Sequence, residues 1–564
     1  MKTLSSLVVL AVIFIDFLHF WIPSANATTV SAELCTPQQT HISFGRSAEE
    51  MTIMWSTKGS CSSLVKYGSG PFKLALSASG DSRLLVPAHN TSEQQFIHNV
   101  LLKDLLPGTV YFYMPVSDDV SAGPYFFQTP HNLNEGTKLM VFSDVSTSSP
   151  FMKTLVKEAL TGEYSALLHL GNIAMNMSSE HGSNGDHYMT SIEQAVRTVP
   201  YLTAPGPSEI EDGSYSNYLL RFAVSQEWPM KLDKLWYSID IGAVHLISYS
   251  TEVFYSGDGK YATLQHDWLI KDLKLANGNR DEVPWIIAFG HRPMYCTCED
   301  PKLTCNSKVT KSSPERTELE DIFYHYGVDM VLESYGAAYE RSFPMYKGVQ
   351  VTDNYTNPLG PVHIVCGGAS PWTIEHNFTT PAPSWSAFRY INESVLSFGR
   401  LHIVNATLLT YEQINATDGS VIDSFDIFQE KHGQFSTSKL PPNISAEIDK
   451  ERIDAGGKPG VLNIEEIGTT DTKTRLSELL QGDNRVRLII GVSCGAFAVV
   501  AIITIILIKT IRKKKKVTRR WEQMDINYGK KFYSKAPEKD EDNDFEIDMS
   551  DGTEPSRKLL NADD

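Results

Sequence analysis

Short runs that place apolar side chains on roughly every second residue begin near residue 39. Thr40-His41-Ile42-Ser43-Phe44, Met51-Thr52-Ile53-Met54-Trp55, Leu64-Val65-Lys66-Tyr67 and Val110-Tyr111-Phe112-Tyr113 are separated by Gly, Ser and Pro turns. A period of two describes a strand with one face buried. Several such strands in about 100 residues predict a β-sandwich over 35–130. From Lys138 the pattern changes. Continuous apolar runs at 139–142, 167–170, 285–289 and 330–332 alternate with helical stretches near 150–161, 188–197 and 316–326. Strands apolar throughout are buried on both faces, which predicts βαβ units in mixed sheets over 136–435. An antiparallel pair around Trp236 to Tyr249 interrupts that series. In such sheets ligands bind just beyond the carboxyl ends of the strands.

Two longer apolar segments bracket this region. Residues 4–22 follow Lys2 and end in Pro23-Ser24 and Ala25-Asn26-Ala27, a small-residue cleavage pattern that predicts a signal peptide over 1–27. Residues 488–508 are 21 residues without a charge, followed by Lys509 and the basic block that ends at Arg520. That length spans a bilayer, and basic residues favour the cytoplasmic side. The expected topology is therefore single-pass and type I, in the secretory pathway, with the N-terminus outside or luminal. The destination is the cell surface or an endolysosomal membrane. A polar stretch over 436–487, with Pro441-Pro442 and Gly456-Gly457, reads as a stalk, and 509–564 reads as a cytoplasmic tail.

Net charge is −17, and the tail accounts for none of the deficit, since it holds 14 Lys and Arg against 13 Asp and Glu. An acidic outer region excludes a general affinity for nucleic acid. The basic block at 509–520 suits anionic lipid headgroups. Beyond the predicted signal peptide there are eight glycosylation sequons, at Asn90, Asn176, Asn354, Asn377, Asn392, Asn405, Asn415 and Asn443, and all precede the apolar segment at 488–508. Cys494 lies within that segment. Cys35, Cys61, Cys296, Cys298, Cys305 and Cys366 form an even set on the oxidising side, where disulfides are expected with their pairing open. The close spacing of Cys296, Cys298 and Cys305 favours a loop staple, because no second pair or His lies at zinc-site spacing.

The strand ends read Ser143-Asp144-Val145-Ser146, Gly171-Asn172-Ile173-Ala174-Met175, Gly206-Pro207-Ser208-Glu209, Gly290-His291-Arg292-Pro293-Met294-Tyr295 and Glu333-Ser334-Tyr335-Gly336-Ala337. In this order they resemble the purple acid phosphatase family of metallophosphoesterases, plant/animal type, which carries GDxG, GDxxY, GNH(D/E), VxxH and GHxH at these places. The resemblance covers about 35–431. It implies a fibronectin-III-like β-sandwich followed by an α/β metallophosphoesterase-type sandwich, and a dinuclear Fe, Zn or Mn centre for phosphate monoester hydrolysis.

Matched position by position, Asp144 and His291 keep family ligands. Asn172 stands where the bridging Asp belongs, Met175 where the Tyr phenolate binds ferric iron, and Pro207 where an Asn ligates. Tyr335 and Ala337 replace two His, and Ser208 replaces the substrate-contacting His. Asn172 offers one neutral oxygen, which no longer offsets the repulsion between two dications. Met175, Pro207 and Ala337 offer no hard donor. The expectation is a degenerate site without a cofactor, in a glycoprotein whose ectodomain binds a protein or carbohydrate ligand. Without metal, Asp144 is expected to accept backbone N–H groups and His291 to be packed and hydrogen-bonded. The alternatives are a mononuclear site on Asp144 and His291 with Asn172 as a weak ligand, and an active membrane-tethered acid phosphatase with a remodelled site. Asn176 opens its sequon at the rim of this site.

Overall fold

The computed structural model describes residues 32–454 apart from 86–93, 131–135, 211–214, 223–227, 229, 233–234, 256–258, 300–313, 337, 370–376 and 393–394. Strands β1 (Gln38–Phe44), β2 (Met51–Thr57), β3 (Leu64–Gly68), β4 (Leu76–Ser79), β5 (Asp81–Leu85), β6 (Gln95–Leu102), β7 (Val110–Ser117), β8 (Val120–Ser121) and β9 (Tyr125–Gln128) make two antiparallel sheets. One runs β1-β2-β6-β5. The other runs β4-β3-β7, with β8 and β9 both on β7. The apolar positions of the sequence pattern close between them: Ile42, Phe44, Ile53, Trp55, Val65, Val100, Tyr113 and Phe127 are all buried. Trp55 anchors this core, since its indole N–H donates to Ser117 Oγ at 2.9 Å and its ring stacks on His98 at 4.9 Å.

The second domain continues with β10 (Thr137–Phe142), α1 (Phe151–Ala159), β11 (Ala166–His169), α2 (Ser183–Val196), β12 (Tyr201–Thr203) and α3 (Ser216–Arg221). Next come β13 (Tyr237–Ile241), β14 (Val244–Ser248), α4 (Lys260–Gly278), β15 (Trp285–Phe289), β16 (Cys298–Glu299), α5 (Pro314–His325), β17 (Met330–Ser334), β18 (Ala338–Ser342), β19 (Met345–Tyr346) and β20 (Val349–Gln350). The described residues close with β21 (Val362–Cys366), β22 (Asn377–Phe378), β23 (Ser386–Ile391), β24 (Ser397–Ile403), β25 (Leu408–Asn415), β26 (Val421–Phe428) and α6 (Pro442–Asp454). Two sheets result, β12-β11-β10-β24-β25-β26 and β13-β14-β15-β17-β21-β18-β23. Leu139, Val141, Leu168 and Leu202 of the first share one buried cluster with Leu246, Ile287, Phe289, Leu332 and Ile364 of the second. α1 covers the outer face of the first sheet through Phe151, Met152, Leu155 and Ala159, at the spacing of one helical face.

The parallel strands of both sheets end at one pole. Antiparallel β24 and β25 bring the chain back, so that Thr137 lies opposite Ile403 and Leu408 opposite Phe428. The chain therefore leaves β26 at the pole where β10 begins.

The pair Tyr237–Ser248 is antiparallel as expected, and it extends the second sheet because β14 also pairs in parallel with β15. Two expectations change. The stalk does not begin at 436: Phe435, Leu440 and Ile448 pack on Tyr324, Tyr346, Val349 and Val351, so the fold runs through α6. Leu440, Ile444 and Ile448, at four-residue intervals, gave that segment a face to bury. Cysteine parity does not carry through either. Cys35 and Cys61 are bridged, and Cys296 is disulfide-bonded, but Cys366 is a buried thiol hydrogen-bonded to Tyr411 Oη at 3.1 Å. Burial pushes that thiol up to about 12. Cys305 and Cys494 lie outside the described residues, as does the segment 488–508. Among the described residues no helix is long and apolar enough to cross a membrane.

The sandwich meets the second domain through a polar knot. Arg221, 1% exposed, donates from Nη1 to Gln39 Oε1 (2.9 Å), from Nη2 to Gln95 Oε1 (3.0 Å) and Asp186 Oδ1 (2.8 Å), and from Nε to Asn217 Oδ1 (3.0 Å). Beside it, Tyr113 Oη donates to Arg197 O at 2.7 Å, and Leu220 and Trp228 pack on Met54, Leu85 and Ile97.

Candidate functional site

The pole where the parallel strands end gathers the positions singled out from sequence. Asp144 follows β10, Asn172 follows β11, Pro207 and Ser208 follow β12, His291 follows β15, and Tyr335 follows β17. Asp144, Asn172 and His291 come together and are buried at 1%, 7% and 6% exposure. The turns that carry them are tight. Asp144, Asn172, Ala174 and Met175 all hold φ between 53° and 58°, a left-handed conformation that costs non-glycine residues energy and clusters at functional sites. Gly171 (φ 83°) and Gly206 let those turns approach, since a Cβ on either would come within about 3 Å of the other's backbone or of His291.

The hydrogen bonds close on themselves. His291 Nδ1 lies 2.6 Å from Leu170 O, so Nδ1 carries the proton and Nε2 is left as an acceptor. Asn172 Oδ1 accepts the Ser208 N–H at 3.0 Å, which turns Nδ2 the other way. Nδ2 then donates to Asp144 Oδ1 at 2.7 Å and to His291 Nε2 at 3.1 Å. Asp144 Oδ2 accepts from Ser143 Oγ (2.9 Å) and Ser334 Oγ (2.6 Å), and the two hydroxyls touch each other. His291 is thus packed and bonded as expected, whereas the partners of Asp144 are side chains, not backbone N–H groups. None of these three side chains leaves a buried polar atom without a partner.

Beneath the pocket is Glu209, which sequence reading quoted only as part of a strand end. Its Oε2 accepts the N–H of Asn172 (2.9 Å) and Gly206 (2.7 Å), and its Oε1 accepts that of Ile173 (2.7 Å). Burial pushes its pKa up to about 8 against the pull of those three donors. The available signal was an acidic residue directly after a strand end in an otherwise apolar setting. Ser143 and Ser334, flanking Asp144, carried no signal of their own.

Of the other positions, Met175 and Pro207 bring no polar side chain to the cluster. Met175 is half-buried and Pro207 is exposed. Tyr335 packs against Cys296, Ala338 and Val365. Ala337 lies outside the described residues. The donor set does not fit a dinuclear metal centre: two ligand positions survive, and each already holds a hydrogen bond from the same amide. Among the described residues one group of three His, Cys, Asp or Glu donors lies within ligand reach, Cys35, Cys61 and Asp118, and its cysteines are bridged. Of the sequon asparagines, Asn90 lies outside the described residues, Asn415 is half-buried, and the other six are exposed. Asn176 stands at the rim, with its carbonyl held by Asn184 Nδ2 at 2.7 Å.

Buried titratable groups predict how stability varies with pH. Burial holds His98 down to about 4 and His169 to about 3, so both stay neutral in the fold. The unfolded chain protonates them near 6.5, and their stabilisation is lost as pH falls below that value. Glu209 opposes with one proton as pH falls from about 8 toward 4.5, while His41, held down by burial as well, adds to the loss, so acidification destabilises the fold. On the alkaline side burial works against His245, yet its hydrogen bonds to Asp240 and Asp272 raise it to about 9. The stabilisation from His245 and Glu209 is lost as pH rises through 9 and 8. Scanning calorimetry of the secreted ectodomain should find the highest melting temperature near pH 6.5 to 7, with a fall on both sides; a melting temperature still rising at pH 9 contradicts this assignment.

Two mixed sheets face to face, with a pocket at the ends of their parallel strands and a β-sandwich in front, define a metallophosphoesterase-type protein. Residues 37–129 match the model of the purple acid phosphatase N-terminal domain, and residues 360–424 match that of the iron/zinc purple acid phosphatase-like protein C. Acid phosphatase type 7 of Homo sapiens is 36% identical over 423 residues, covering 72% of this chain and 94% of that protein. The Danio rerio protein of the same name is 34% identical over 70% and 92%. An Arabidopsis thaliana relative, named a probable inactive purple acid phosphatase, is 25% identical over 70% and 69%. A solved purple acid phosphatase from yellow lupin seeds shares the fold with a TM-score of 0.59 at 21% identity, over 70% of this chain and 74% of that one. This chain belongs to the purple acid phosphatase family.

Proposed function

We propose that the protein is a type I membrane glycoprotein whose purple acid phosphatase-like ectodomain has lost hydrolysis and serves as a binding module for a protein or carbohydrate ligand, at the cell surface or on an endolysosomal membrane. The observation that carries this reading is Asn172 Nδ2, which stands 2.7 Å from Asp144 Oδ1 and 3.1 Å from His291 Nε2. An amide donor between the two surviving ligands satisfies them without a metal and repels one, because its hydrogens point at the atoms a cation would bind. The basic block at 509–520 would then meet anionic lipid, with the tail in the cytoplasm. Acid phosphatase type 7 supports the rival reading, an active tethered phosphatase with a remodelled centre, through its 36% identity alone.

The test is metal content by mass spectrometry on the secreted ectodomain, with hydrolysis of a generic phosphate ester between pH 4 and 8 measured on the same sample. Well under one Fe, Zn or Mn per chain without turnover is the expected result. About two ions per chain with turnover overturns it.

A further inference from the structure

The outgoing chain is gripped at the pole opposite the Asp144 pocket, and three exposed sequons converge on the grip. Asn354 opens Asn354-Tyr355-Thr356. Phe428 N donates to Tyr355 O at 3.0 Å, and Asn357 N donates to Phe428 O at 2.7 Å. Asn405 opens Asn405-Ala406-Thr407. Gln429 N donates to Thr407 O at 2.9 Å, and His432 Nε2 to Ala406 O at 2.8 Å. Asn443 is the second residue of α6, whose Ile444 and Ile448 share one apolar cluster with Val349 and Val351, a few residues before Asn354. Asn354 and Asn405 are shaped alike: each Oδ1 accepts the N–H of the Thr two residues on, at 3.0 and 2.8 Å, an Asx turn on an exposed loop. Of the other sequons, Asn392 and Asn415 lie toward the opposite end of the β24–β25 hairpin, where Ala416 N donates to Leu396 O, and Asn176 lies at the pocket rim. Between 177 and 353 the sequence holds no sequon.

α6 itself is held by few apolar side chains, chiefly Leu440, Ile444 and Ile448. A terminal helix with so little buried surface opens locally at low cost and exposes backbone to proteases. We propose that N-linked sugars on Asn354, Asn405 and Asn443 form a collar around this exit and shield the junction between the ectodomain and residues 455–487 from proteolysis. Each sugar is a bulky, hydrated group, and three around one exit, two on flanking loops and one on α6, leave an enzyme little room. The collar rests on the glycoprotein reading above.

The test uses the full-length chain on membranes of cells with a secretory pathway. Asn354→Gln, Asn405→Gln and Asn443→Gln, singly and together, are compared with a control triple of Asn176→Gln, Asn377→Gln and Asn392→Gln. Each single variant should lose one endoglycosidase-sensitive band shift. Trypsin should release the ectodomain of the collar triple on the order of ten-fold faster than that of the control triple, with equal melting temperatures for the two released domains. Equal release rates, or sugar on fewer than two of the three collar asparagines while the control sites are occupied, overturns the collar. A chain without sugar at any of the eight sites overturns instead the glycoprotein reading on which it rests.

Discussion

An ectodomain carrying N172D, M175Y, P207N, Y335H and A337H should bind close to two Fe, Zn or Mn ions per chain and hydrolyse a generic phosphate ester on the order of 10³-fold or more faster than the native ectodomain. The size follows from what is missing. The backbone turns are in place, with Asp144 and Asn172 in the left-handed conformation and Gly171 and Gly206 in close approach. The donors are what changed. N172D removes the amide that occupies Asp144 and His291 and supplies the negative charge that two neighbouring dications require. The other four restore hard or imidazole donors at positions that offer Met, Pro, Tyr and Ala. Adding S208H should increase turnover further without changing metal content. If the fivefold variant folds and still binds no metal, the pocket geometry has drifted along with its ligands, and the turns described above are not a vacated metal cradle.

Arg221→Ala should be the most damaging single change outside the hydrophobic core, costing about 3 kcal/mol. The side chain is buried and serves four acceptors on both sides of the domain boundary, so truncation leaves Gln39, Gln95 and Asn217 facing a void. The ion pair with Asp186 counts for less, because that carboxylate is 40% exposed. Calorimetry should then resolve two transitions where the native ectodomain shows one, as the sandwich unfolds independently. Arg221→Lys should recover little, since an ammonium cannot fork toward Gln39 and Gln95 together. A single transition at the native temperature would mean that apolar contacts such as Trp228 on Met54 and Ile97 couple the domains by themselves.

Much of the scaffold could be read from sequence. Runs such as 139–142 and 285–289 were legible as strands because they are too short for a buried helix and alternate with helical stretches, and Asp144, Asn172 and His291 met because each follows such a strand. What stayed hidden had weak local signals. Asp81–Leu85 is a polar edge strand defined by its neighbour, and Ser386–Ile391 is half-exposed along its whole length, so neither shows a period. The Arg221 knot joins residues more than a hundred positions apart, and no local pattern encodes it. The pocket's five altered positions were legible as substitutions, but the way Asn172 satisfies both survivors required the orientation imposed by Ser208 N–H. The packing of α6 was within reach, since Leu440, Ile444 and Ile448 repeat at four-residue intervals; prolines and glycines on either side masked them.

Glu209 gives this architecture a history. A carboxylate that takes the N–H groups of Asn172, Ile173 and Gly206 ties the left-handed turn after β11 to the turn after β12, with atoms the chain makes for itself. Folding then does not wait for an ion to be loaded, and a chain without metal presents the same surface as a loaded one would. Ligand positions in such a lineage are released from selection for foldability and kept only by selection for chemistry. Where hydrolysis does not matter they can be exchanged one at a time, each intermediate still a well-formed protein, because Glu209 and the two glycines hold the turns.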